Sequence, residues 1–447
     1  MHRLTALVGV VLIMALFQNL TAAGALEARA TLALGFLLIA ALLGGDLARR
    51  VGMPRITGFL VIGLAVGPQL LGLVRADELQ VLGFISDAAI TLIALGAGGE
   101  LKVETLRAQR RALTRISLGA TLTPLLLVVG VLLTVTRWMP LTAHQPFGDA
   151  LAVVLVIGIV TAAFSPAATL AVMDETGARG PFSSTVLAVT VLTNVGVAVA
   201  LALGLGLAQS LMSAGALDMG VLGGAVGGLV ASVAAGGLVG VAVAAYLRRI
   251  QRDTPLFLVG IAFVLAALSR LLGLDLVLPG LAAGFYLENY ARVEGDRLLG
   301  ALQRGSAPVY MVFFALAGAG LHLAALAELW PWVFLVVGVR AQGLRLGMRW
   351  AGRDPSVIPD LARHGWLGLI SQAGLALGVA AVARRAFPEW GVSLQTLIVA
   401  MIAVHELVGP ILFRRALRLA GEVRESVDDA APALGAQPAV ADRRGGV

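Results

Sequence analysis

Cysteine is missing from all 447 residues. That excludes disulfides, a thiolate zinc site and a cysteine nucleophile. Charge is scarce: Asp, Glu, Lys and Arg together make 13% of the chain. His322, His364 and His405 lie far apart, which excludes a histidine metal cluster by spacing. No Ser/His/Asp arrangement stands out. The glycine-rich run 222–240 follows no strand and carries no Lys-Ser/Thr pair, so it reads as helix packing rather than a phosphate loop. An enzyme is therefore not expected, nor a cofactor or a resident metal.

What is present is hydrophobic. Apolar residues make 59% of the chain, mean hydropathy is +0.92, and there are 55 glycines. Apolar stretches of at least 18 residues recur along nearly the whole length, and each can cross a bilayer core of about 30 Å. Abundant glycine lets such helices approach closely. The class is an all-α polytopic membrane protein. Helices are predicted near 5–22, 31–48, 56–73, 81–101, 112–136, 149–173, 183–210, 219–246, 255–272, 274–291, 307–326, 329–351, 362–386 and 391–417. That makes 13 core transmembrane helices after the first segment. The first segment has a basic start, an apolar run and the small residues Thr21 to Ala25, so it is either a signal peptide or an extra N-terminal helix.

A net charge of +7 could point to nucleic acid, but the positive residues sit mainly in short loops between apolar helices. Arg49, Arg50 and Arg55 fill one loop; Lys102, Arg107, Arg110, Arg111 and Arg115 another. Later loops carry Arg248, Arg249 and Arg252, then Arg292, Arg297 and Arg304, then Arg349, Arg353 and Arg363. All fall on one side in the helix count. The positive-inside rule makes that side cytoplasmic and puts the C-terminus there, in a plasma (inner) membrane. No nucleic-acid partner is expected; the lipid bilayer is.

The organisation reads as 1–25, leader or extra helix; 26–213, a first repeat; 214–250, a linker helix; 251–420, a second repeat; and 421–447, a disordered cytoplasmic tail. Six helices, one, then six is the count that two inverted six-helix repeats require. Matching helices in the two halves are interrupted. Segment 149–173 holds Thr161, Ser165 and Pro166, and segment 362–386 holds Ser371, Gln372 and Gly374. A loosened backbone at membrane depth is tolerated only inside protein or beside a cavity. Paired interrupted helices mark the binding site of inverted-repeat transporters. Pro166 lacks the donor for the Ala162 carbonyl, and its ring crowds that carbonyl, beside Thr161. Thr161, Ser165 and Gln372 offer neutral oxygens suited to Na⁺ or K⁺. Arg340, near the centre of helix 329–351, is costly at that depth and needs a partner in the interior; it could lean on the carbonyls of a broken helix, attract an anion, or act as a tethered cation. Asp87, Glu288 and Glu406 read as nearer helix ends than centres.

Several stretches, in order, resemble the monovalent cation/proton antiporter superfamily. Arg49 to Pro54 leading into Thr57–Pro68 is similar to its first cytoplasmic loop and second core helix. Gly99-Glu100-Leu101 resembles the end of its third. Phe313-Phe314 with Ala317-Gly318-Ala319, then Ser371-Gln372-Ala373-Gly374, then Glu406-Leu407-Val408-Gly409-Pro410, complete the likeness over about 28–418. It is closer to the potassium-efflux and bacterial sodium/proton branch than to the animal exchangers.

The resemblance implies crossed discontinuous helices, a homodimer, and one bundle moving elevator-fashion against a dimerisation scaffold, with a monovalent cation and a proton as the exchanged partners. It also implies a membrane-embedded Asp, where this chain has Thr193-Asn194, and a basic residue opposite it, which Arg340 matches. An amide has no proton to exchange, but its oxygen can help to coordinate a cation, with Thr190 one turn earlier on the same face. Another acid, such as Glu100, would then carry the proton. No metal is expected beyond a transported alkali cation. Two alternatives stay open: a carrier of the same fold for an anion or small organic solute, and a non-transporting sensor. The nucleotide-binding domain of potassium-efflux members has no counterpart in the 421–447 tail.

Overall fold

The structure, a computed structural model, describes residues 2–20, 25–213, 219–249, 254–291, 302, 308–321, 323–372 and 390–423. Every regular element among them is a helix. These are α1 (His2–Leu20), α2 (Leu26–Arg50), α3 (Arg55–Val66), α4 (Ala76–Gly99), α5 (Val103–Ala108), α6 (Arg110–Val135), α7 (Phe147–Val160) and α8 (Pro166–Thr176). Then come α9 (Pro181–Ser213), α10 (Met219–Arg249), α11 (Thr254–Leu272), α12 (Leu278–Tyr290), α13 (Pro308–Ala319), α14 (Leu323–Ala351), α15 (Pro359–Gly368) and α16 (Gly391–Leu419). By length and composition, 6 of the described helices can cross a membrane: α2, α4, α6, α10, α11 and α16. Leucines such as Leu126, Leu238 and Leu256 point outward from them, as a lipid-facing surface requires.

Carboxylates set several helix starts. Asp275 accepts from the amides of Val277 and Leu278, each at 2.7 Å, so α12 begins at Leu278 rather than at 274. Glu175, at the end of α8, accepts from the first amide of α3, that of Arg55 (2.7 and 2.8 Å). Glu422, just past α16, accepts from Phe182 and Ser183 at the start of α9 (2.7 and 2.9 Å). The partial positive charge of a helix N-terminus favours each arrangement.

The helices pack as two groups. α2, α3, α4, α11, α12 and α13 form one; α6, α7, α8, α9, α14, α15 and α16 form the other, and α10 lies on α12 and α9. Glycine allows the closest approaches. A Cβ on Gly119 of α6 would lie 2.5 Å from the Gly347 carbonyl of α14, and one on Gly347 would lie 2.0 Å from the Gly119 carbonyl. α8 and α16 of the second group face α3 and α4 of the first.

Several expectations need correction. Arg110, Arg111 and Arg115 belong to α6, because a short helix, α5, takes up much of the loop before it. By contrast, the break expected within 149–173 is present: five non-helical residues, 161–165, separate α7 from α8. Asp87 lies midway along α4, not near an end, and pairs with Arg270 of α11. Glu406 lies midway along α16 and is 3% exposed, too deep for capping or snorkelling. Glu288 does sit near the end of α12, 3.3 Å from Lys102. Ala373, Gly374, His322, Arg292, Arg297, Arg304 and the tail from 424 lie outside the described residues.

Candidate functional site

α7 stops because its backbone finds other partners. Thr161 caps it, and the Thr161 hydroxyl donates to the Gly158 carbonyl at 2.6 Å. Such side-chain bonds compete with the helical ladder. α8 then restarts with Ser165 as N-cap, its Oγ accepting from the Ala168 amide at 3.3 Å. Pro166 occupies the first helical position, where no donor is needed. The expected crowding of the Ala162 carbonyl by Pro166 therefore does not arise: Ala162 is no longer helical.

In the second segment read as interrupted, α15 ends at Gly368 and Leu369–Gln372 follow without helix; 373–389 lie outside the described residues. Leu369–Gln372 lie against the first interruption. The Ser165 amide donates to the Ser371 carbonyl at 3.0 Å, and Gln372 Nε2 donates to the Val160 carbonyl at 2.6 Å. The amide and carbonyl of Phe164 pair with Asn194 of α9, Oδ1 accepting and Nδ2 donating, each at 3.0 Å. Buried main-chain groups must find partners, and these bonds supply them.

Arg340 of α14 completes the arrangement. It is 0% exposed and heads the fully buried side chains by size. Nε donates to the Thr161 carbonyl at 2.7 Å, Nη1 to Ile370 at 2.9 Å, and Nη2 to Ala163 at 3.1 Å and Leu369 at 3.2 Å. Its guanidinium also lies 5.4 Å from the ring centroid of Phe164. Burying a charge costs several kcal/mol. Four charge-assisted bonds at about 1.5–3 kcal/mol each are of the size needed to offset it. The positive group meets the C-terminal, partially negative ends of α7 and α15. No acid is required.

The interruptions thus gather Thr161, Ser165, Pro166, Asn194, Ser371, Gln372 and Arg340. Thr193 and Thr190 are buried on α9. The Thr190 hydroxyl donates to the Leu187 carbonyl at 2.7 Å, and the Thr193 hydroxyl has no partner among the described residues. Gln372 Oε1 is buried and likewise unpartnered among the described residues. Glu100 is not part of this group. It follows α4 and pairs with Arg179 at 3.6 Å, in a cluster where Asp174 binds Arg179 (2.7 Å) and the Tyr310 hydroxyl (2.8 Å).

Sequence reasoning missed two participants and misplaced one neighbour. Phe164 acts through its main chain and ring face, which no sequence pattern marks. Gly409 of α16 lets that helix touch the second interruption: a Cβ there would lie 2.1 Å from Ser371 Oγ. Its place in the Glu406–Pro410 motif was the available signal. Glu406 itself was misjudged by its distance from a helix end.

Residues 35–418 match the family model described as "Sodium/hydrogen exchanger, transmembrane". The chain belongs to that family. Among curated relatives, it is 33% identical over 91 residues to the Na⁺/H⁺-K⁺ antiporter GerN of Bacillus cereus, covering 20% of this chain and 23% of GerN. It is 25% identical over 160 residues to the probable Na⁺/H⁺ antiporter GerT of the same organism, covering 36% of this chain and 39% of GerT. The matched stretches therefore span well under half of either relative. Two structures of the sodium proton antiporter MjNhaP1 from Methanocaldococcus jannaschii share the fold. One, at pH 8, has a TM-score of 0.63 at 17% identity, over 89% of this chain and 100% of that one. The other, from electron microscopy, scores 0.67 at 19% identity, over 88% and 98%.

Proposed function

We propose that this protein is a secondary active transporter exchanging a monovalent cation, Na⁺ or K⁺, for protons across the plasma membrane. The observation that carries the reading is the contact between two interrupted segments, joined by Arg340, Gln372 and the Ser165 amide, with Asn194 paired to the first, within a chain of the sodium/hydrogen exchanger family. The names of its relatives, antiporters of Na⁺, H⁺ and K⁺, support the choice of ions. The proposed architecture has thirteen core helices in two inverted six-helix repeats, a cytoplasmic C-terminus, and a homodimer. The bundle of α6 to α9 with α14 to α16 rises and falls against the rest. Arg340 engages four of the carbonyls at the interruptions, so the cation binds beside them, near Thr193 Oγ1 and Gln372 Oε1, which lack partners among the described residues. Those same bonds to Arg340 weaken the anion-carrier reading, because the guanidinium is already engaged.

The test is a pH-gradient assay in proteoliposomes across Na⁺, K⁺, Li⁺ and chloride. Cation-driven proton movement that ignores chloride is expected. Proton movement driven by chloride, with no response to any of the three cations, would overturn the proposal.

A further inference from the structure

An exchanger needs a group that holds either a proton or a cation, and Asn194 cannot be that group. The acids that look available are committed elsewhere. Glu100 pairs with Arg179, Asp87 with Arg270, Glu288 with Lys102 and Glu78 with Arg29, and Glu175 accepts from the Arg55 amide. Among the described residues, Glu406 is the one carboxylate with both oxygens buried and unpartnered. It sits at the middle of α16, 3% exposed, three residues before the Gly409 that packs on Ser371. Residues three apart share a helical face, so Glu406 lies about one turn from the interruption.

We infer that Glu406 is the residue that carries the proton, taking over from the missing embedded aspartate; this rests on the function proposed above. An ionised carboxylate with no partner in such a place costs several kcal/mol. A proton removes that cost, and so does a monovalent cation. These are the two states between which an antiporter alternates. On one side of the membrane, H⁺ forms an O–H bond with the carboxylate and the cation leaves. On the other, that bond breaks, H⁺ leaves and a cation replaces it. One carboxylate gives one proton per cation, so no net charge crosses.

The ionisable groups on the elements packed against α16 do not remove the need for such a partner. Arg340 of α14 is bound to four carbonyls, Arg55 of α3 pairs with Asp46, and Glu175 of α8 caps α3. α15 brings Asp360, Arg363 and His364, and α7 brings Asp149 in its first turn. On α16 itself, His405 is buried with neither ring nitrogen hydrogen-bonded among the described residues, and Arg414 follows two turns later.

The test uses the full chain in lipid vesicles, wild type against Glu406→Gln and Glu406→Asp, with two readouts. The first is proton movement driven by imposed Na⁺ or K⁺ gradients. It should fall to the level of empty vesicles in Glu406→Gln, and persist with a displaced pH profile in Glu406→Asp. The aspartate variant keeps the test open if the amide variant misfolds. The second is pH-difference infrared spectroscopy, which needs no transport. It should show a protonated-carboxyl band that the driving cation removes and that Glu406→Gln lacks. Cation-driven flux of wild-type size in Glu406→Gln overturns the role of Glu406 and leaves the antiport reading standing. No flux in the wild type, with a Glu406 band that still responds to cation, overturns antiport and keeps the site. A band unchanged by Glu406→Gln overturns the site.

Discussion

Asn194 and Phe164 exchange two hydrogen bonds, each 3.0 Å long, so that one side-chain amide satisfies the main chain in the middle of the first interruption. The amide supplies an acceptor and a donor together. A protonated carboxyl group can do the same, but an ionised one offers acceptors only. Asn194→Asp should therefore melt close to the wild type at acid pH and fall below it by about 1–3 kcal/mol at alkaline pH, when the Phe164 carbonyl faces an ionised carboxylate. Thermal unfolding in detergent from pH 5 to pH 9 is the measurement; a parallel pair of curves would contradict the argument.

Arg340→Met should be the more damaging change. It leaves four buried carbonyls, those of Thr161, Ala163, Leu369 and Ile370, without their donor. The expected loss is about 3–5 kcal/mol, with transport abolished. Arg340→Lys keeps the charge but not the planar fork, so it should recover only part of the stability. Urea or thermal denaturation of the three proteins side by side ranks them.

A methyl group separates two glycines by their surroundings. Gly409→Ala would place Cβ 2.8 Å from both the Cα and the amide nitrogen of Ser371, so the second interruption must shift. Overpacking of that kind costs about 1–3 kcal/mol, and flux should drop with it. Gly260 of α11 has nothing within 4 Å of the same methyl. Gly260→Ala should be neutral or slightly stabilising, because alanine loses less freedom in a helix. Paired melting curves and vesicle assays check both.

The loop between α14 and α15 supplies a pH prediction outside the membrane. Asp354 accepts from the Ser356 amide (3.0 Å) and hydroxyl (2.8 Å) and from Arg111 Nε (2.9 Å). Hydrogen bonds from Ser356 first, then Arg111, hold its carboxyl down at about 2, against an ordinary value of 3.8. A depressed folded-state value means stability that is full above the ordinary value and lost as pH falls toward the folded one. The stability gap between wild type and Asp354→Asn should stay constant from pH 8 to about pH 4 and close between about pH 4 and pH 2. Calorimetry over that range reads it.

Much of this was legible in the sequence because lipid punishes exceptions. The helical class, the two interrupted segments and Arg340 all announce themselves as polar or helix-breaking residues in apolar runs. What stayed hidden depends on partners. The carbonyls of a broken helix were one of three roles the sequence left open for Arg340, and nothing in the chain could choose among them, since carbonyls are present at every position. Phe164 was invisible for the same reason. Pro166 was rightly placed at the break but was expected to crowd the Ala162 carbonyl, because its role depends on whether α7 has already ended, which the Thr161 hydroxyl helps decide. Glu406 was judged by linear distance, whereas depth is a property of the bundle.

One feature of the fold bears on how the two bundles part. Glu175 grips the start of α3, while Arg179 and Asp174 reach Glu100 and Tyr310. All of these attachments lie at a single mouth of the seam, by the beginnings of α3 and α13 and the end of α4. Farther in, α8 meets α3 and α4, and α16 meets α3, through side chains such as Leu170, which grip without direction. A seam stitched along one margin and merely greased along the remainder peels from its loose margin first, so water should reach Glu406 from the face opposite the stitches before any stitch has to break.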